Sequence, residues 1–517
     1  MKDTTSPCHR TDEANKWFAS LPRTCIMGLV SAFFCGMPLH AATHGRELTL
    51  DQTISLACDS SLSAHKIKNT YLSQYWSYRA YKAARLPSLS LSMTPIRYDR
   101  TFKTRYDSQT NQDVYRQQQS LYSYGNLALT QNVDLTGGTL FFDSELGYVR
   151  NFGLTSNQQF STVPFRIGYS QQLLGYNAFK WEKQIQPLRY EKAKRTLLYN
   201  MEVISETAAS YFFNVAMAQM TYDLAKSSLA SSDTLYRIVG QDRSKIGSIS
   251  KADLLTLRLD WINAGNALRN AEIDLKKASF ALSNFLNIDK QASFQLTLPE
   301  KPQKIDIDMA MALSLVQRYN PDYLANKQSL LEAEQDLERT TRSSKLEVNL
   351  NMSVGFNQVA PEFKNSYRNA LEQDVVSVGV TVPIVDWGLR KGKVNMAKNQ
   401  LEVTKLSVQQ NEISLEEEVS MTVNDFNVQQ GLIQSAEEAR NLADMAYEAT
   451  KERYLIGKVE ISSLTLASNR KESARRNYIS ALKNYWLSYL KLRKLTLFDY
   501  LNNKPLNIDF EERYARN

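Results

Sequence analysis

The chain has 517 residues, of which 43% are hydrophobic and 10% aromatic, a composition that excludes a disordered chain and leaves room for two to four ordinary domains. A formal charge of +8 is mild for this length and contains no Lys/Arg run, so a nucleic-acid footprint is excluded. The scarcity of glycine (19) and proline (13) favours long uninterrupted helices over many short elements.

Residues 25 to 37, CIMGLVSAFFCGM, form an apolar run followed by Pro38 and the pair Ala41-Ala42. The run is too short to span a bilayer and ends in small residues, so residues 1–41 read as a secretory signal cleaved near Ala41. No lipobox precedes Cys25, Cys35 or Cys58, and no lipid anchor is expected. Beyond residue 41 only Cys58, His44 and His65 remain, too few for a disulfide framework, a metal site or a catalytic triad. No cofactor or metal is expected, and in the absence of a phosphate loop or nucleophile motif an enzyme is poorly supported.

From Leu48 to Arg85 apolar residues begin at helical spacing with Leu50, Ile54, Ala57 and Leu62. After Pro87 the period becomes two: Leu89, Leu91 and Met93 alternate with Ser88, Ser90 and Ser92, the mark of a strand with one apolar face. A polar stretch to about Ser120 reads as an exposed loop. Two alternating runs then flank Gly137-Gly138, which predicts a hairpin. A second polar loop, Asn151 to Val163, precedes a strand with Phe165, Ile167, Tyr169 and Leu173 on one face. Gly175-Tyr176-Asn177 then turns into a helix from Ala178 to about Val239, with only Pro187 to kink it, a rod of about 90 Å. A second rod, Ser250 to Asn287, runs back, and residues 289–306 read as a connector.

The programme then recurs. Ile307 to Arg318 is helical, Asn320-Pro321 supplies a cap and a first-turn proline, and a helix follows to about Ser343. Leu346 to Phe356 and Val376 to Ile384 alternate as strands, and Asp386-Trp387-Gly388 turns into a helix to about Leu455, roughly 100 Å long. Its stripe Leu401, Val408, Leu415, Val419, Phe426 and Ile433 is spaced 7, 7, 4, 7, 7, a coiled-coil seam with one stutter. The last helix carries Ala474, Tyr478, Ala481, Tyr485, Ser488, Leu492 and Leu495 at steps of 4 and 3, and a shift of 210 returns that seam as Ala264 to Phe285. The same shift carries Arg453-x-x-x-Gly457 onto Arg243-x-x-x-Gly247, so the chain is read as an internal two-fold repeat, 42–288 and 307–496, with a tail at 497–517. Gly168 and Tyr176 overlay Gly379 and Trp387 at a shift of 211, whereas the first strands need 259. The difference places an inserted hairpin at about 105–160.

Strands of about 9 to 11 residues with one apolar face suit a tilted bilayer crossing, which is permitted only if the sheet closes. Four strands cannot close alone, so several copies must share one barrel. A soluble sandwich has no use for such rods. Tyr176, Trp181 and Trp387 at the strand-to-helix junctions suit a membrane-interface belt, although singly each also reads as a packing residue.

With VGVTVPIVDWGLRKGKVNMAKNQLE (378–402) and RYLIGKVEISSLTLASNRKESARRNYISALKNYW (453–486), the chain resembles the TolC-like outer-membrane efflux proteins over nearly all of its length beyond residue 41. The resemblance implies an α+β membrane protein: a homotrimeric outer-membrane β-barrel with about four strands per subunit and twelve in all, continued by a long periplasmic α-helical coiled-coil barrel. It implies an equatorial belt near 287–306, Asn320-Pro321 and 497–517. It also implies a passive exit duct in the outer membrane, extending into the periplasm, for drugs, small molecules or secreted substrates of an efflux or type I secretion system. The implied partners are outer-membrane lipid, a periplasmic adaptor protein and an inner-membrane pump of resistance-nodulation-division or ABC type, with no nucleic acid. By match to the R-x-x-x-G turns, Arg243, Gly247, Arg453 and Gly457 are candidates for the periplasmic tip that meets the adaptor; helix reversal alone would also explain the glycines. The inserted hairpin reads as an elaborated surface loop, with two added strands per subunit as the alternative. The competing function is a non-channel coiled-coil surface or adhesive protein.

Overall fold

The computed structural model describes residues 46–152, 156–237, 251–289, 294–300, 304–456 and 458–507. A short strand β1 (Arg46–Leu48) leads into α1 (Leu50–Ser60) and α2 (Leu62–Ala83). Thr49 opens α1 with a reciprocal capping box, accepting from the Gln52 amide while the Gln52 side chain accepts from the Thr49 amide. Ser61 both ends α1 and caps α2, so the helical run from Leu48 to Arg85 is broken there. Four strands follow, β2 (Ser88–Asp107), β3 (Gln112–Val133), β4 (Gly138–Phe152) and β5 (Asn157–Gln172). The chain then enters α3 (Ala178–Leu235), which runs through Pro187, and returns along α4 (Lys251–Leu286).

The second half has the same order of helices around fewer strands. After β6 (Phe294–Leu296), which pairs in parallel with β1, come α5 (Met309–Tyr319) and α6 (Pro321–Ser343). Asn320 repeats the role of Ser61, ending one helix and capping the next, with Pro321 in the first turn. Then come β7 (Glu347–Ala360), a 3₁₀ turn (Phe363–Tyr367), β8 (Leu371–Thr381), α7 (Leu389–Leu455) and α8 (Ile461–Thr496). The tail forms a minimal hairpin, β9 (Phe498–Asp499) with β10 (Lys504–Pro505).

Two apolar clusters hold the helices together, and α3 contributes to both. One joins α1 and α2 to α3 and α4, with Ala57, Ala64, Leu197, Ile204 and Leu282 in its interior. The other joins α3 to α5, α7 and α8 through Phe212, Phe213, Val419, Phe426, Leu482 and Tyr485. The heptad stripe of α7 is the buried one: Leu401, Leu415, Val419, Phe426 and Ile433 are buried and Val408 is half-buried. Polar ties run alongside these clusters. Arg493 Nε donates to Glu202 Oε2 at 2.6 Å, Lys494 Nζ lies 2.8 Å from Glu206 Oε2, and Tyr489 Oη donates to Asp499 Oδ1 at 2.8 Å. Asn320 Nδ2 donates to the Leu495 carbonyl at 2.9 Å and ties the α5–α6 corner to the end of α8.

The sheet departs from the expected four strands. It has six, all antiparallel, in the order β2-β3-β4-β5-β7-β8. The stretch up to Ser120, expected to be a loop, is strand: β2 and β3 pair without interruption out to Asp107 opposite Gln112, apart from a bulge between Thr94 and Arg97. The second expected loop, Asn151 to Val163, is likewise almost all strand, with β4 reaching Phe152 and β5 starting at Asn157. The inserted hairpin therefore lies in the sheet as β3 and β4, which corrects its reading as a surface loop.

Candidate functional site

The functional surface is the sheet itself, together with the helices that carry it. In an antiparallel ladder residues directly opposite share a face. One row reads Leu89, Leu129, Phe142, Ile167 and Val354 across five strands, and another reads Leu140, Tyr169, Met352 and Val376. This apolar face is uncovered: Leu89, Leu91, Met93, Val376, Val378 and Val380 are all more than half exposed. A contiguous patch of that extent marks an interaction surface rather than ordinary surface apolarity.

The opposite face carries the row Ser90, Ala128, Asp143, Arg166, Gly355 and Gln373. At its centre Arg166 binds two carboxylates, with Nη2 2.5 Å from Asp143 Oδ2 and 2.7 Å from Glu145 Oε1, and Nε 3.1 Å from Asp143 Oδ1. Glu145 also accepts from Asn126 Nδ2 at 3.3 Å. Beside this cluster Phe141 lies across Gly168, where an added Cβ would come within 2.2 Å of the ring and 2.7 Å of the Met352 carbonyl. Close passage of an aromatic ring over the strand is what requires glycine there. The sheet is thus largely apolar on one side, where Asp374 of β8 stands opposite Val354, and largely polar on the other, where Phe141 covers Gly168, and its end strands β2 and β8 each have one unpaired edge.

Below the strands, tight turns meet the helices. Gly137, at φ +80°, closes the β3–β4 turn, and its amide donates to the Val133 carbonyl at 2.9 Å. Asn177 caps α3 through Oδ1 while its Nδ2 donates to the carbonyls of Asp134 and Leu135. Arg85 pairs with Asp134, and Gln171 Nε2 donates to the Thr136 carbonyl. Asp386 clamps the β8–α7 turn by accepting from the amides of Gly388 and Arg390 and from Arg390 Nε. The Arg390 side chain and these amides hold its carboxyl below the usual carboxylate range.

The structure brings Tyr176 and Trp181 together on α6: Gln335 Nε2 donates to Tyr176 Oη at 2.6 Å, and Trp181 Nε1 donates to Glu338 Oε2 at 2.7 Å. Trp387 stands apart, 97% exposed and at a positive φ of 52°. Arg453 is exposed in the last turn of α7, its carbonyl accepting from the Lys458 amide. Arg243, Gly247 and Gly457 lie outside the described residues. The Arg166 cluster was missed in the sequence, although charges at Asp143, Glu145 and Arg166 all fall on the polar positions of their strands.

Among the described residues no helix is long and apolar enough to cross a membrane. Residues 320–496 match the family model described as outer membrane efflux protein. An uncharacterised protein of Haemophilus influenzae is 21% identical over 224 residues, 43% of this chain, and the match spans about half (48%) of that protein's length. Three solved structures share the fold. The CmeC outer membrane channel of Campylobacter jejuni superposes with a TM-score of 0.64 at 15% identity, over 90% of this chain and 89% of that one. A membrane protein from Pseudomonas aeruginosa gives 0.62 at 15% identity, over 88% and 91%. The open state of the MtrE outer membrane channel of Neisseria gonorrhoeae gives 0.58 at 15% identity, over 86% and 88%. The efflux-protein match thus lies in the second half of the chain, and the fold of the solved outer membrane channels extends over most of its length.

Proposed function

We propose that the protein is the outer-membrane exit duct of an efflux or type I secretion assembly, a homotrimer that spans the outer membrane and extends into the periplasm. The observation that carries this reading is a sheet with one bare apolar face and two open edges, set on helices of 58 and 67 residues. At 1.5 Å per residue those helices reach about 87 and about 100 Å, far more than a globular core needs. Open edges and a lipid-compatible face are resolved together if copies join edge to edge into a closed barrel, since backbone polar groups in hydrocarbon must all be paired. The polar face then lines a wet lumen, and cargo passes by diffusion with no covalent step. The energy comes from an inner-membrane pump coupled through a periplasmic adaptor.

In this reading residues 1–41 are the export signal, 42–288 and 307–496 the two repeats, 289–306 their connector, and 497–517 part of the equatorial belt. Arg243, Gly247, Arg453 and Gly457 mark the periplasmic tip, and Trp387, with Tyr176 and Trp181, marks the membrane interface. The protein extracted in detergent is expected as a trimer that conducts ions across a planar bilayer. A stable single copy, soluble without detergent, would exclude the duct.

A further inference from the structure

We propose that three copies close an 18-stranded barrel, because the β3–β4 hairpin is a full part of the membrane wall; the proposal rests on the trimeric duct described above. Each copy brings six hydrogen-bonded strands, and three times six is 18, against 12 for the expected four.

Three observations place the hairpin in the wall. It is paired on both sides, β3 along β2 and β4 along β5, with no break between the two halves of the sheet. It continues the apolar face, since Leu129 and Phe142 sit between Leu89 and Ile167 in one row, and the polar face, since Ala128 and Asp143 sit between Ser90 and Arg166. Its lower turn is fastened at the level where the sheet meets the helices, through Asn177 and Gln171 to the carbonyls of residues 134–136 and through Arg85 to Asp134. A surface loop would need none of these. With 15 residues β4 is longer than the 9 to 11 that a tilted strand needs to cross a bilayer.

The outer edges suit closure by a second copy. β8 runs down toward the helices and β2 runs up from them, so joining them continues the antiparallel pattern. Val376, Val378 and Val380 then share the outer face with Leu89, Leu91 and Met93 when the register keeps serines opposite serine, glycine or threonine. At about 4.8 Å between strands and a tilt of about 40°, 12 strands give a backbone diameter of about 24 Å and 18 strands about 36 Å. The wider wall fits a water-filled channel of porin class.

The test is an electron-microscopic reconstruction of the detergent-extracted full chain, with copies counted by native mass. Three copies around a wall of about 36 Å is the expected result. Three copies around a wall of about 24 Å, with the hairpin outside it, would overturn the 18-stranded barrel and leave the duct standing. Two copies closing 12 strands would overturn both this inference and the trimer, and no closed wall would overturn the duct itself. A variant lacking residues 108–156 joins β2 to β5 directly; it is expected to narrow the wall by about one third. A trimeric variant with an unchanged diameter would count against the proposal, and if the variant does not assemble the map of the full chain still decides.

Discussion

Placing a charge on the apolar face should harm the protein far more than placing the same charge one residue away. Met352 lies between Tyr169 and Val376 on that face, with no carboxylate directly opposite. Asn351 is its neighbour on the polar face, opposite Ser170 and Ser377, and accepts from Ser170 Oγ at 2.7 Å. If the apolar face meets lipid, Met352→Arg costs about 2–4 kcal/mol at the middle of the bilayer. That is a loss of roughly 30- to 700-fold in the folded-to-unfolded ratio. Asn351→Arg puts its guanidinium in water and loses one neutral hydrogen bond, about 1 kcal/mol. Equilibrium urea unfolding in lipid vesicles reads both. Equal losses, or a larger loss for Asn351→Arg, would refute the assignment of the two faces.

Three further outcomes follow from the packing. Arg493→Met leaves Glu202 buried without its partner and is expected to cost about 3–5 kcal/mol in chemical unfolding, partly restored in the Glu202→Gln/Arg493→Met double variant. Burial raises the Glu202 carboxyl pKa against the pull of Arg493. With the arginine gone, the penalty should be fullest above that raised pKa and shrink as pH falls through it, because protonation removes the unpaired charge. Asn320→Ala removes both the α6 cap and the bond to the buried Leu495 carbonyl, a loss of about 2–4 kcal/mol in the same assay. Gly168→Val would drive its side chain into Phe141 and the Met352 carbonyl, costing about 1–3 kcal/mol and lowering the fraction of heat-modifiable folded protein on gels.

Much of this architecture was legible because its periods are long and clean. The 3-4 spacing in α8 and the heptads of α7 each fix a buried stripe, and Tyr485, Leu492, Phe426 and Val419 occupy it as expected. The strand alternation of β7 and β8 was equally plain, and Asp386-Trp387-Gly388 marked the start of α7 to the residue. The upper parts of β2 and β3 were not legible. There Tyr98, Phe102 and Tyr106 recur only every fourth residue among Arg, Lys, Thr and Asp, so composition alone suggests a loop. Pairing between two polar strands supplies the order that neither strand signals by itself. The Arg166 cluster was hidden for a related reason: the charges are visible, but not the register that sets Arg166 opposite Asp143, with Glu145 two residues further along the same strand. The break at Ser61 was missed because the apolar spacing continues past it, and only its capping bond to Ala64 reveals the corner.

A closed tube requires copies to join through the free edges of β2 and β8. In a chain with Cys58→Ser, Ser90→Cys combined in turn with Ser377→Cys, Gly379→Cys or Thr381→Cys places thiols on the polar face of both edges. Oxidation in outer-membrane vesicles, read on a non-reducing gel, should give one dominant species of three chains with at least one of these pairs, since a closed ring has no free edge left. Single chains only from every pair, or a ladder continuing past three, would contradict a closed tube.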